Sequence, residues 1–204
     1  MATKSEEEAQ KTPYKPYIAA RPFSFELDAE MISLLRKEFD PPIIIEKFAN
    51  EISGKKADEI DAIAKQVLGK YGKDWMHKTL QLGETYPDRT YEILKAAVDD
   101  TGEMKFPLVL QRFIEIAYLS TQQFRILPIV ENWSRRLVYR VKDCYTFKTE
   151  MEKCGQEVAN LLPCRYACLA ACKTALEGLG LDATVKMEAT MVKDGYCQFA
   201  LNRV

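Results

Sequence analysis

Residues Pro163–Leu201 read PCRYACLAACKTALEGLGLDATVKMEATMVKDGYCQFAL, and this stretch decides the fold. Pro163 suits the first turn of a helix, and the residues after it carry that helix to Glu177. Gly178 or Gly180 then supplies the C-cap. From Ala183 the period changes to two: Ala183, Val185, Met187, Ala189 and Met191 alternate with Thr184, Lys186, Glu188 and Thr190. Lys193-Asp194-Gly195 reads as a three-residue hairpin turn, and Cys197, Phe199 and Leu201 alternate on the returning strand. Such a turn sets Met191 opposite Cys197 and leaves Glu188 on the other face.

Upstream of this stretch the pattern is mostly helical. Residues 1–22 are polar, contain Pro13, Pro16 and Pro22, and read as a flexible arm. Met31, Leu34, Leu35 and Phe39 repeat at helical spacing until Pro41-Pro42. Ile43, Ile44 and Ile45 fit a short helix or a strand. Ile60, Ile63, Ala64, Val67, Leu68 and Tyr71 form one apolar stripe, after which Gly69 and Gly72 mark a break and Trp75–Leu80 resumes a helix. Pro87 opens another helix, with Tyr91, Leu94 and Val98 inward. Phe106, Val109, Leu110, Phe113, Ile116 and Ala117 make the strongest helical stripe.

After Gln123 the composition turns β-branched and aromatic. Arg136–Val141 reads as a strand, and Pro128 makes the segment 124–130 an edge strand or irregular. The organisation is therefore a flexible arm (1–22), a helical part (23–123) and an α+β part (124–204), with 23–204 one domain. The fold class is α+β: an N-terminal helical part packed on a C-terminal antiparallel sheet, with the helix Pro163–Glu177 and a closing β-hairpin.

The bulk numbers exclude more than they select. A chain of 204 residues is long enough for a sizeable core, and 47% hydrophobic with 29% charged residues is ordinary for a globular protein. A net charge of −1 provides no field for nucleic acid or anionic membrane. Neither a signal peptide nor an apolar run of the ~20 residues that a span requires is present, so a cytoplasmic location with no membrane partner is expected. In that compartment the six cysteines are thiols or metal ligands rather than disulfides.

Cys164, Cys168 and Cys172 recur every four residues, which places them on one face of the predicted helix. Cys164 falls in the first turn, where unpaired N–H groups and the helix dipole favour a thiolate. Cys168 could share a metal with it at i and i+4; close packing is the plainer reading, above all for Cys172. Glu188 lies in the polar register of its strand and Cys197 in the apolar register of the next. Bringing both to Cys164 requires a bulge or a slipped register. Cys144 and Cys154 have no selecting spacing. His77 is the only histidine and fits no catalytic motif; it reads as a surface or core-edge residue. No glycine-rich phosphate loop is present.

The segment from about Trp133 to Leu201 resembles the 4-vinyl reductase type of small-molecule-binding domain. The match rests on Cys164, on Glu188 placed 24 residues later (188 − 164), and on Cys197 near the chain end. The resemblance implies a zinc or iron site at Cys164, Glu188 and Cys197, beside a pocket for a hydrophobic or aromatic ligand. Met191 stands where that family has a further cysteine, so the site is degenerate, is completed by Cys168 or Cys144, or holds no metal. The closing Tyr196-Cys197-Gln198-Phe199 is similar to the related L-2-amino-thiazoline-4-carboxylate hydrolases. Three functions follow as expectations. One is binding of a small hydrophobic or aromatic ligand, with or without a metal. Another is a hydrolase opening a C–N or thioester bond, with Cys164 as nucleophile or metal ligand and Glu188 as base. The last is an interaction subunit using the helix at 31–39, or a homodimer.

Overall fold

The computed structural model describes residues 29–85, 113, 128–133 and 135–204. The arm at 1–22, the helix after Pro87 and most of the stripe at 106–117 lie outside the described residues.

Helix α1 (Ala29–Phe39) and helix α2 (Pro41–Ile52) are separated by Asp40 alone. Asp40 is extended (φ −65, ψ 125), as a residue before proline should be, and Pro41 and Pro42 occupy the first turn of α2. The prolines that stop α1 thus start its successor. The three isoleucines are helical: Ile45 is buried with Pro41, Phe48 and Ile52, whereas Ile43 is exposed.

Helix α3 (Ala57–Thr85) runs unbroken for 29 residues, about 43 Å, so the break expected at Gly69 and Gly72 does not occur. Its first turn carries Asp58 and Glu59, and the Glu59 carboxylate accepts the Lys56 N–H at 3.1 Å. Ile60, Ala64, Leu68, Tyr71, Trp75, Thr79 and Leu82 form its buried stripe. Gly72 has a packing reason instead: a Cβ built there would lie 2.1 Å from the Ala167 carbonyl oxygen. Only glycine allows the later helix through Ala167 to approach α3 so closely.

A four-stranded antiparallel sheet follows, built from β1 (Ile129–Trp133), β2 (Arg136–Val141), β3 (Ala183–Ala189) and β4 (Cys197–Arg203). The order is β1-β2-β4-β3, so the segment after Pro128 is an edge strand. Between β2 and β3 come helices α4 (Tyr145–Cys154), α5 (Gln156–Asn160) and α6 (Arg165–Gly178). The sequence reading assigned only the last of these to this part. Helix α6 ends in a Schellman motif: Gly180 has φ +65 and donates to the Glu177 carbonyl, while Leu181 N–H reaches the Leu176 carbonyl at 2.8 Å.

The hairpin differs from the expected one. β3 stops at Ala189, Thr190 caps a single helical turn, α7 (Met191–Asp194), and Gly195 closes it at φ +73. Met187 therefore pairs with Phe199, and Ala189 with Gln198 across a bulge, while Cys197 pairs with Val141 of β2 rather than with Met191. The register moves by two residues and each side chain keeps its face. One cluster of buried apolar residues joins the helices to one face of the sheet, from Leu35 through Phe48, Leu68 and Ala175 to Leu201. Among the described residues no helix is long and apolar enough to cross a membrane.

Candidate functional site: a thiol-lined cavity

A cavity of about 40 Å³ lies where α3, α6 and the inner face of the sheet meet. Four rings border it: Trp75 from α3, Phe113, and Tyr139 and Phe199 from paired positions on β2 and β4. The Tyr139 and Phe199 rings stack at 5.5 Å between centroids. Met76 and Met187 border it as well, and so do five thiols: Cys144, Cys164, Cys168, Cys172 and Cys197. The strand period of two sends Val141, Cys197, Phe199 and Met187 inward together, and the i, i+4 spacing on α6 adds Cys164, Cys168 and Cys172.

Burial dominates the chemistry of these thiols. It pushes Cys144 up to about 12 and Cys172 to about 11, and raises Cys164 and Cys168 well above the ordinary thiol value. Cys164 sits at the start of α6, as expected, but desolvation and the Glu150 carboxyl outweigh the helix dipole there. Its thiol keeps its proton, the reverse of what a nucleophile needs. Cys172 shares a 3.0 Å hydrogen bond with the Tyr139 hydroxyl, which pulls it back slightly. Cys154, at the end of α4, is half-buried and does not border the cavity.

Sequence reasoning missed Glu150. It projects from α4, is 0% exposed, and neither carboxylate oxygen makes a hydrogen bond. The nearby Cys164 thiol and backbone N–H pull its pKa down, but neither forms a hydrogen bond with the carboxyl. Desolvation is the larger effect and lifts the group from 4.5 to about 8. An unsatisfied buried polar group costs roughly 1–3 kcal/mol. In sequence, Glu150 stands amid Lys148, Glu152 and Lys153 and reads as part of a solvated helix face.

Leu162 also borders the cavity, with a left-handed backbone (φ 55) just before Pro163. A non-glycine residue in that region is strained by roughly 1–2 kcal/mol. The neighbouring Arg165 has its cation committed elsewhere: its guanidinium bonds Asp61 and the Leu161 carbonyl and lies over the Tyr166 ring.

Of the residues expected to form a site, Cys164, Cys168 and Cys197 border one cavity and Glu188 does not. The Glu188 carboxylate lies on the opposite face of the sheet, where Arg136 binds both its oxygens at 2.9 and 3.0 Å and Gln198 donates at 3.1 Å. These contacts hold its pKa below the usual value. The bulge that could have turned Glu188 inward is present, but the carboxylate remains outside. Met191 lies in the turn. The set Cys164, Glu188 and Cys197 therefore does not assemble around one point. Among the described residues no three His, Cys, Asp or Glu side chains converge closely enough to hold a metal ion. His77 is exposed on α3, and Leu35 of α1 is buried toward the core while Leu34 faces out. Comparison with known proteins finds no matching family model, curated protein or solved structure.

Proposed function

We propose that this chain binds a small hydrophobic or aromatic molecule in the cavity between α3, α6 and the sheet. The observation that carries this reading is the lining: four aromatic rings and two thioethers converge on a void inside the core. Packed interiors leave few voids larger than a water molecule, and an apolar void is one that water does not fill. At about 40 Å³ the void is far below the roughly 300 Å³ at which pockets for drug-sized ligands begin. A ligand therefore enters by displacing side chains, and Met76 and Met187 are the flexible part of the wall.

The raised thiols favour binding over covalent catalysis. The reading requires no metal; stoichiometric zinc or iron in anaerobically purified protein, lost in Cys164→Ser, would add a structural cation to it. The test is a titration with toluene of protein carrying ¹³C-methyl methionine. Saturable shifts at Met76 and Met187 are expected, and they should vanish in Ala171→Leu, which fills the void. If the methyl resonances do not move, the cavity is only a packing defect.

A further inference from the structure

Cys164 of the cavity wall neighbours a buried carboxyl, Glu150, whose two oxygens have no hydrogen-bond partner, and from this we infer that the cavity's ligand is a small apolar amine whose ammonium group closes on Glu150. The inference rests on the binding reading above and specifies the ligand's head group. Glu150 is fully buried with both carboxylate oxygens unpaired. Among the described residues the titratable groups that face it include Cys144 before α4, Cys154 at the end of α4, Cys164 and Cys168 on α6, and Cys197 on β4, all acids. Helix α2 packs against α4 and contributes Glu46, which holds the ammonium of Lys153 at 3.1 Å. Arg165 is bound to Asp61. Both of these cations are thus engaged, and neither Glu150 oxygen has a hydrogen-bond partner.

The wall argues for an organic cation rather than a metal ion. Its aromatic rings and thioethers suit an apolar body, and ring faces attract an ammonium. Cys164 borders the cavity and its thiol also neighbours the Glu150 carboxyl, which is not itself in the cavity wall.

The proton balance is fixed. An ammonium from solution meets a protonated Glu150, the pair forms, and the carboxyl proton leaves to solvent. Binding releases one proton, so affinity rises about tenfold per pH unit while Glu150 is protonated in the free protein, and levels off above about pH 8.

The experiment compares toluene with benzylamine, read at the Met76 and Met187 methyl groups at pH 6 and pH 8, in wild type and Glu150→Gln. Toluene should bind equally at both pH values and in both proteins. Benzylamine should bind the wild type tens of times more tightly at pH 8 than at pH 6, and should lose that dependence in Glu150→Gln. Should the variant not fold, the wild-type pH comparison against benzyl alcohol decides the matter. Toluene binding with no pH-dependent gain for benzylamine overturns the head-group inference and leaves the cavity reading standing. If neither molecule shifts the methyls, the cavity reading fails and takes this inference with it.

Discussion

Glu150 couples the stability of the fold to pH. Its carboxyl keeps a proton to about pH 8 in the folded chain, whereas the unfolded chain releases it near 4.5. Between these values the native state binds the extra proton, so stability falls as pH rises and is level above 8. The slope is about 1.4 kcal/mol per pH unit, or up to about 5 kcal/mol across the window. Glu150→Gln should show a urea midpoint nearly flat from pH 5 to pH 8, against a falling wild-type midpoint; parallel curves would place the carboxyl in water. Glu188 provides the contrast. Being outside and paired with Arg136, it should be replaceable by Gln with little change in stability and none in toluene binding. Loss of binding in Glu188→Gln would mean that the strand turns inward when the ligand arrives. At this scale the sequence placed Cys164, Cys168 and Cys172 on one helix face, and its simple register left Glu188 on the far side of the sheet. A strand register could be read for Glu188, but no local signal marks the burial of Glu150.

At the scale of elements, two glycines in one helix behave oppositely. Gly69 and Gly72 looked alike as punctuation, yet α3 passes through both. Nothing stands within 4 Å of a Cβ added at Gly69, so Gly69→Ala should stabilise by about 0.5–1 kcal/mol through helix propensity. At Gly72 the same change drives a methyl into the Ala167 carbonyl and should cost about 3 kcal/mol. Thermal melts of the two variants check the pair; equal effects would mean that α6 does not cross α3 there. The hairpin teaches a related lesson. Period and turn residues were legible, but the Thr190 side chain accepts the Lys193 N–H, and Asp194 accepts the Thr190 N–H at 2.8 Å. That local capping lengthened the connection and moved the register by two residues.

For the whole molecule, the thiols report on cooperativity. Cys144, Cys164, Cys172 and Cys197 are buried in one core, and the Cys168 thiol is raised by burial too, although part of that residue is exposed. Iodoacetamide near neutral pH should therefore modify Cys154 first, and the other five only at the rate at which the core opens. A fast reaction at Cys164 would show a thiolate there and restore the hydrolase reading.

The sequence by itself determined the α+β class, the strands β2 and β4, the helix at 165–178 and the shared face of its three cysteines. These follow from periodicity, proline and glycine, which act within a few residues along the chain. Only the tertiary structure decided that the helix from Ala57 to Thr85 is continuous, that Tyr139 and Phe199 stack over a void, and that Glu150 rather than Glu188 sits among the thiols. The reason is desolvation. Whether a charged side chain meets water depends on segments distant in sequence closing over it, and no spacing along the chain records that.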